Sequence, residues 1–155
     1  MMEEACAWDA RIVALAMGWE GTPYRHQASL KGVGCDCLGL VRGVWRELHG
    51  REPAQAGAYS RDWAEAGGRD RLLAAARRYC DACAQVPAAG RILLFRWRPQ
   101  LPAKHCAIAV GPDAFIHAYE GHSVMVSPLV PQWRRRIAGV FRFPQPDGIS
   151  KISEF

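Results

Sequence analysis

The sequence predicts an α+β fold in which N-terminal helices pack on a C-terminal antiparallel sheet of about five strands. Three observations carry that expectation. Apolar residues recur at helical spacing through the first half of the chain. From Pro87 onward the pattern changes to period two, with β-branched and aromatic residues. The later apolar segments are short and joined by Gly, Pro and Asp turns, the mark of a meander and not of βαβ crossovers. With 155 residues, half of them hydrophobic, the chain suits one domain with its own core. We expect that core over about 5–143 and a loose tail over 144–155.

Residues 5–19 read as a first helix with Ile12, Leu15, Ala16 and Trp19 on its apolar face, weakened at its end by Gly18. A turn-rich loop, Glu20-Gly21-Thr22-Pro23-Tyr24-Arg25-His26, follows. A second helix over about 37–48 has Leu38, Val41, Val44, Trp45 and Leu48 at helical spacing and stops at His49-Gly50. Residues 51–60 show no period and read as loop; Ser60 to Trp63 can start a short helix. Asp70 can cap a further helix over about 71–83, which would end on the pair Cys80 and Cys83. Five strands are expected at 92–97, 104–110, 114–119, 123–127 and 139–143.

Composition narrows the function classes. No apolar run approaches the ~20 residues of a membrane span. Met1 to Ala5 lacks the basic start and apolar core of a signal peptide, so export by that route is not expected. The net charge of +5 comes mainly from arginine, because Lys occurs only at positions 31, 104 and 151. No nucleic-acid motif accompanies it, and solvation explains such an excess more simply than a polyanionic partner does. The six cysteines do not form a dense disulfide framework and are expected as reduced thiols. The C-x-x-C pair at Cys80 and Cys83 reads as packing thiols before it reads as metal or redox chemistry. No cofactor or metal is expected.

The chemistry concentrates at Gly34-Cys35-Asp36-Cys37-Leu38-Gly39-Leu40. Asp36 is a good N-cap, which puts Cys37 in the first turn of a helix. There the unpaired N–H groups and the helix dipole favour a thiolate. A cysteine at a helix start is more often a small buried hydrophobe, and the histidines decide between the readings. His105 heads the second sheet strand and His117 lies on the next. A hairpin closed by Gly111-Pro112-Asp113 has its centre near residue 111 or 112, and a centre at 111 makes them direct cross-strand neighbours. They fit a general base and the group that orients it, with the second ring accepting from Nδ1–H of the first and leaving Nε2 to face the thiol. Cys35, before the cap and outside the helix field, is not expected to be the nucleophile. Tyr24, thirteen residues before Cys37, is close enough in sequence to fold back over it.

These residues resemble the NlpC/P60 family of cell-wall cysteine peptidases, a compact papain-like fold. The resemblance rests on Asp36-Cys37-Leu38-Gly39-Leu40, on His105-Cys106-Ala107-Ile108-Ala109-Val110-Gly111, on Ile116-His117-Ala118 and on Pro23-Tyr24-Arg25, and covers about 21–120. It implies Cys37 as nucleophile, His105 as base and His117 as its orienter. It implies an oxyanion and substrate side near Tyr24 and Asp36. Two positions depart from the family pattern: Leu38 stands where Ser is usual, and Gly90-Arg91-Ile92 where Gly-Asp-Leu is usual.

The implied activity is a cysteine endopeptidase cutting peptidoglycan stem peptides, at a D-γ-glutamyl–diaminopimelate bond. The Gly-Cys-Asp-Cys-Leu-Gly-Leu variant resembles the branch found in phage tails and gene transfer agents. That implies carriage on a tail or baseplate complex and action in the periplasm of a target cell. Candidate docking surfaces are the 51–70 region, the 131–136 basic run and the tail after Pro144, with Trp63 and Trp133 as exposed anchors. The alternatives are an N-acetylmuramoyl-L-alanine amidase with the same dyad, a non-catalytic tail-tip protein, and a metal protein using Cys35, Cys37, Cys106 and His105.

Overall fold

The computed structural model describes residues 2–53 and 70–146. The expected helix at Ser60, the anchor Trp63 and most of the 51–70 region lie outside them, as does the tail from 147. Pro144, expected to begin a loose tail, is instead buried.

Helix α1 spans Met2–Met17 and buries Trp8, Ile12 and Ala16, a spacing of four that keeps one stripe facing inward. The Trp8 indole N–H donates to the Phe143 carbonyl at 3.1 Å, which ties the first helix to the end of the last strand. A small hairpin follows, β1 at Ser29–Leu30 and β2 at Gly34–Cys35. Gly32, at φ 77°, supplies the left-handed turn between them. Helix α2 spans Cys37–His49 and ends at Gly50, whose φ of 80° allows its N–H to reach the Arg46 carbonyl. Its inward face is Leu40, Val44, Trp45 and Leu48.

Helix α3 spans Arg71–Tyr79, with the Asp70 carboxylate accepting from Leu73 N–H. It is shorter than the spacing suggested. Cys80 turns extended, and Asp81–Ala82 forms a short edge strand, β3, on Arg142 and Phe141. Cys80 and Cys83 therefore do not share a helix face. Cys80 packs with the helices and Cys83 on the other side of the sheet.

The sheet holds β3, β4 (Arg91–Phe95), β5 (His105–Ala109), β6 (Ala114–His117), β7 (Met125–Pro128) and β8 (Ile137–Arg142), all paired antiparallel. Its order is β3-β8-β4-β5-β6-β7. The meander is real for β4 to β7, but β8 returns across it to pair with β4 after the short helix α4 (Pro131–Arg134). Both sheet faces are covered, so β5 is buried at every residue and reads as a continuous apolar run. Ile92, Leu94, Cys106, Ile108 and Ile116 face the helices. Leu93, Phe95, Ala107, Ala109, Phe115 and Val140 face a second cluster, against which Trp133 packs.

Candidate active site

The Asp36–Gly39 junction is built by the sequence around it. Asp36 Oδ1 accepts from Gly39 N–H and Oδ2 from Gln27 N–H, both at 2.7 Å. Gln27 adopts a left-handed φ of 65° in presenting that donor. With both oxygens engaged and the residue 3 % exposed, Asp36 holds the loop-to-helix junction together and does not present a carboxylate to substrate. Gly39 is required by contact: a Cβ there would lie 1.9 Å from the Ala28 carbonyl oxygen. Leu40 N–H donates the first intrahelical bond, to the Asp36 carbonyl, so the N–H groups of Cys37 and Leu38 precede the helical ladder. Cys35 N–H donates to Pro23 and Arg25 N–H donates to Cys35, which lays Tyr24 beside the strand leading into Cys37. Tyr24 itself is half-buried against the core.

Cys37 is half-buried at the first position of α2. Its thiol is held well below the ordinary value. The largest cause is a hydrogen bond from the Cys106 thiol; burial opposes it; the hydrogen bond and charge of His105 and the Cys106 backbone N–H add to it. Cys106, next to His105 on β5, is raised in return, first by that same bond and then by burial. Burial pushes the Cys35 thiol up to about 12, with the neighbouring Asp36 and Cys37 adding to the effect. The two cysteines that bracket Asp36 are thus driven in opposite directions.

The two histidines meet, but not as the hairpin symmetry suggested. Ile108 pairs with Ile116 and Ala109 with Phe115, so the hairpin is centred one residue later than expected, and His117 falls opposite Ala107. The three-residue turn Gly111 to Asp113, closed by Val110 N–H on the Ala114 carbonyl, causes that offset. The histidines are diagonal neighbours on one face, still within reach of ring side chains. Their rings lie 5.1 Å apart and nearly perpendicular, with His105 Nε2 2.8 Å from His117 Nδ1. This corrects the expected tautomer geometry. Nε2 of His105 faces His117, so Nδ1 is the nitrogen left for Cys37.

The line continues one residue further. His117 Nε2 lies 2.9 Å from Ser127 Oγ on β7. If His105 Nε2 carries a proton, His117 Nδ1 must accept and His117 Nε2–H donates to Ser127. That requires a neutral His117, and its pKa is pushed down to about 3, by burial first and then by the charges of His105 and His122. Ser127 escaped the sequence reading. Its only signal is its place two residues from the position facing His117, which needs the β6–β7 register that pairs His117 with Met125.

Aromatic rings close around His105: Phe95, Trp97, Tyr119 and Trp133 all have centroids within 6.0 Å of it. Trp133 is therefore half-buried packing for the site and not an exposed anchor. Leu38, the departure after the cysteine, packs against the main core. Arg91, the departure before β4, pairs with Asp9 of α1 at 2.9 Å. Cys80 and Cys83 remain free thiols, and the Cys80 thiol is raised to about 12 by burial and by Asp81. Among the described residues, no three His, Cys, Asp or Glu side chains are arranged to hold a metal ion. No helix among them is long and apolar enough to cross a membrane.

Comparison with known proteins gives the chain's family and fold. The NlpC/P60 family model matches residues 21–142. The chain is similar to the murein DD-endopeptidase MepS/murein LD-carboxypeptidase of Escherichia coli K12, 27 % identical over 128 residues. That match covers 82 % of this chain and 58 % of the relative, so the chain spans little more than half the length of the curated relatives it matches. Among solved structures it is similar to the NlpC/p60 domain of the peptidoglycan hydrolase SagA, with 26 % identity and a TM-score of 0.59, covering 87 % of this chain and 98 % of that one. An NlpC/P60 family protein from Bacillus cereus shares the fold at 20 % identity and a TM-score of 0.61, over 87 % of this chain and 40 % of that one.

Proposed function

Because the chain belongs to the NlpC/P60 family, we propose that it is a cysteine peptidase that hydrolyses the stem peptides of peptidoglycan. The observation that carries the reading is the hydrogen-bonded line His105, His117, Ser127 beside a cysteine, Cys37, that starts a helix and whose thiol pKa His105 helps to lower. His105 Nδ1 takes the Cys37 proton, and the thiolate attacks the peptide carbonyl carbon. Negative charge on the carbonyl oxygen is met by the first-turn N–H groups of Cys37 and Leu38, with the Tyr24 hydroxyl as a further donor. The imidazolium returns the proton to the leaving amine, which departs and leaves a thioester. Water, deprotonated by His105, then hydrolyses the thioester and restores the thiol. His117 stays neutral throughout and holds the His105 ring.

The activities named for the MepS relatives and for SagA support a wall peptide as substrate. Within that class, the D-γ-glutamyl–diaminopimelate bond is our choice. The test is digestion of purified sacculi by the wild type beside Cys37→Ala, with mass spectrometry of the products. We expect peptides cut within the stem from the wild type alone. Release of intact stems would replace the endopeptidase with an amidase, and equal digestion by both proteins would remove Cys37 from the mechanism. The Gly34 to Leu40 run also supports carriage on a phage-like tail or baseplate complex, with action in the periplasm of the target cell. Fractionation of particles from the source organism tests it, and a protein absent from every particle fraction would refute it.

A further inference from the structure

Beside the thiol–imidazole line lies a cavity of about 670 Å³, between the turn after β4 and the segment running from α4 into β8. Arg96, Trp97, Arg98, Gln132, Arg135 and Arg136 line it, and among the described residues no acidic one does. Arg96 is partly neutralised by Asp70 at 3.5 Å. Among the described residues no carboxylate lies within ion-pair distance of Arg98, Arg135 or Arg136. Three guanidinium groups thus surround one hollow without a counter-charge.

The hollow is ordered and joined to the site. Arg96 N–H donates to the Arg136 carbonyl at 2.8 Å, which pins its two lips together. The Arg136 guanidinium sits 5.2 Å from the Trp97 ring centre and 5.7 Å from that of Trp133. Trp97 in turn lies nearly parallel to the His105 ring, at 6.0 Å and 20°. One aromatic side chain is shared between the basic cavity and the imidazole. A ligand held in the cavity would therefore lie one aromatic ring away from the general base.

Arginine's planar fork matches a carboxylate with two parallel bonds. The volume suits a few residues of a peptide. A peptide linked through a γ-carboxyl keeps its α-carboxylate free, so stem peptides bear carboxylates close to their cleavable bonds. We propose that this cavity is a substrate subsite that takes a free carboxylate of the stem peptide beside the scissile bond. The proposal rests on the hydrolase reading above.

Two measurements separate the two claims. The first compares kcat/KM on a soluble stem peptide with free carboxylates and on the same peptide amidated at them. The wild type should prefer the free acid by about tenfold or more, expressed in KM. In Arg98→Gln/Arg135→Gln, both of whose side chains are exposed, the preference should fall towards one. The second is direct binding of the free-acid peptide to Cys37→Ala protein, with and without the same two arginine substitutions, read by Trp fluorescence. We expect about tenfold weaker binding without the arginines. Arginine-dependent binding with no turnover by the wild type would overturn the hydrolase and leave the subsite standing. Turnover indifferent to both amidation and the arginines would overturn the subsite and leave the hydrolase. Stronger competition from a phosphate-bearing wall polymer than from the peptide would also overturn the subsite.

Discussion

Cys37 and Cys106 form a thiol pair whose bond is the largest influence on the nucleophile. Cys106→Ala removes that donor, so the Cys37 thiol should titrate at higher pH. Alkylation by iodoacetamide below the shifted midpoint should slow by about tenfold, the equivalent of the ~1.5 kcal/mol contributed by a hydrogen bond to a charged group. The measurement belongs in a Cys6→Ser background, because Cys6 is exposed. An unchanged pH profile would assign the low pKa to His105 and the helix start alone. Cys35→Ser should keep most activity, since burial holds that thiol at about 12 and denies it a thiolate; Cys37→Ser should lose it. Cys37, His105 and His117 were legible because each is marked by its own strand or helix boundary. The roles of Cys106 and Ser127 were not, because each depends on a partner set by packing or by a register one residue away from the simplest symmetry.

Helix α2 is the element that delivers the thiol, and its position is set by glycine contacts along it. Gly39 rests on the Ala28 carbonyl, and Gly43 lies under Trp19, where a Cβ would meet the ring at 2.1 Å. Ser29 Oγ donates to the Gly39 carbonyl at 2.6 Å and keeps the hairpin against the same turn. Gly39→Ala forces a backbone oxygen to move, an overpacking typically costing about 1–3 kcal/mol. We expect a lower unfolding midpoint in denaturant, with Cys37 alkylation losing more than stability does, because the clash lies two residues from the sulfur. A variant as stable as the wild type, with unchanged alkylation, would contradict this role. The helix itself was readable from its cap, its period and Gly50. The early end of α3 was not: the apolar period continues past Tyr79, and what ends the helix is the pairing of Asp81 and Ala82 with β8, more than fifty residues away.

At the scale of the whole molecule, the sheet order shows the same limit. Strand existence follows from local pattern, but the return of β8 to β4 is a long-range pairing that no turn signal announces. That return encloses His117 between the sheet and Trp133, whose ring centroids lie 5.6 Å apart. The enclosure links folding to pH. An unfolded histidine titrates near 6.5, and His117 in the folded chain is pushed down to about 3. For a base with a depressed folded pKa, the unfolded state binds more protons between those values. Stability should therefore be full above pH 6.5, fall as pH drops below it, and level off only near pH 3. At 1.36 kcal/mol per unit, the loss reaches about 3 kcal/mol by pH 4.5, a large share of the ~5–15 kcal/mol of a typical domain. His49 is lowered in the same direction by burial and steepens the slope. Glutamine at position 117 offers an acceptor to His105 and a donor to Ser127 without titrating. Denaturant unfolding at pH 7.5 and pH 4.5 should show a smaller stability difference in His117→Gln than in the wild type. Equal differences in the two proteins would mean that His117 is not the buried base that couples this fold to protons.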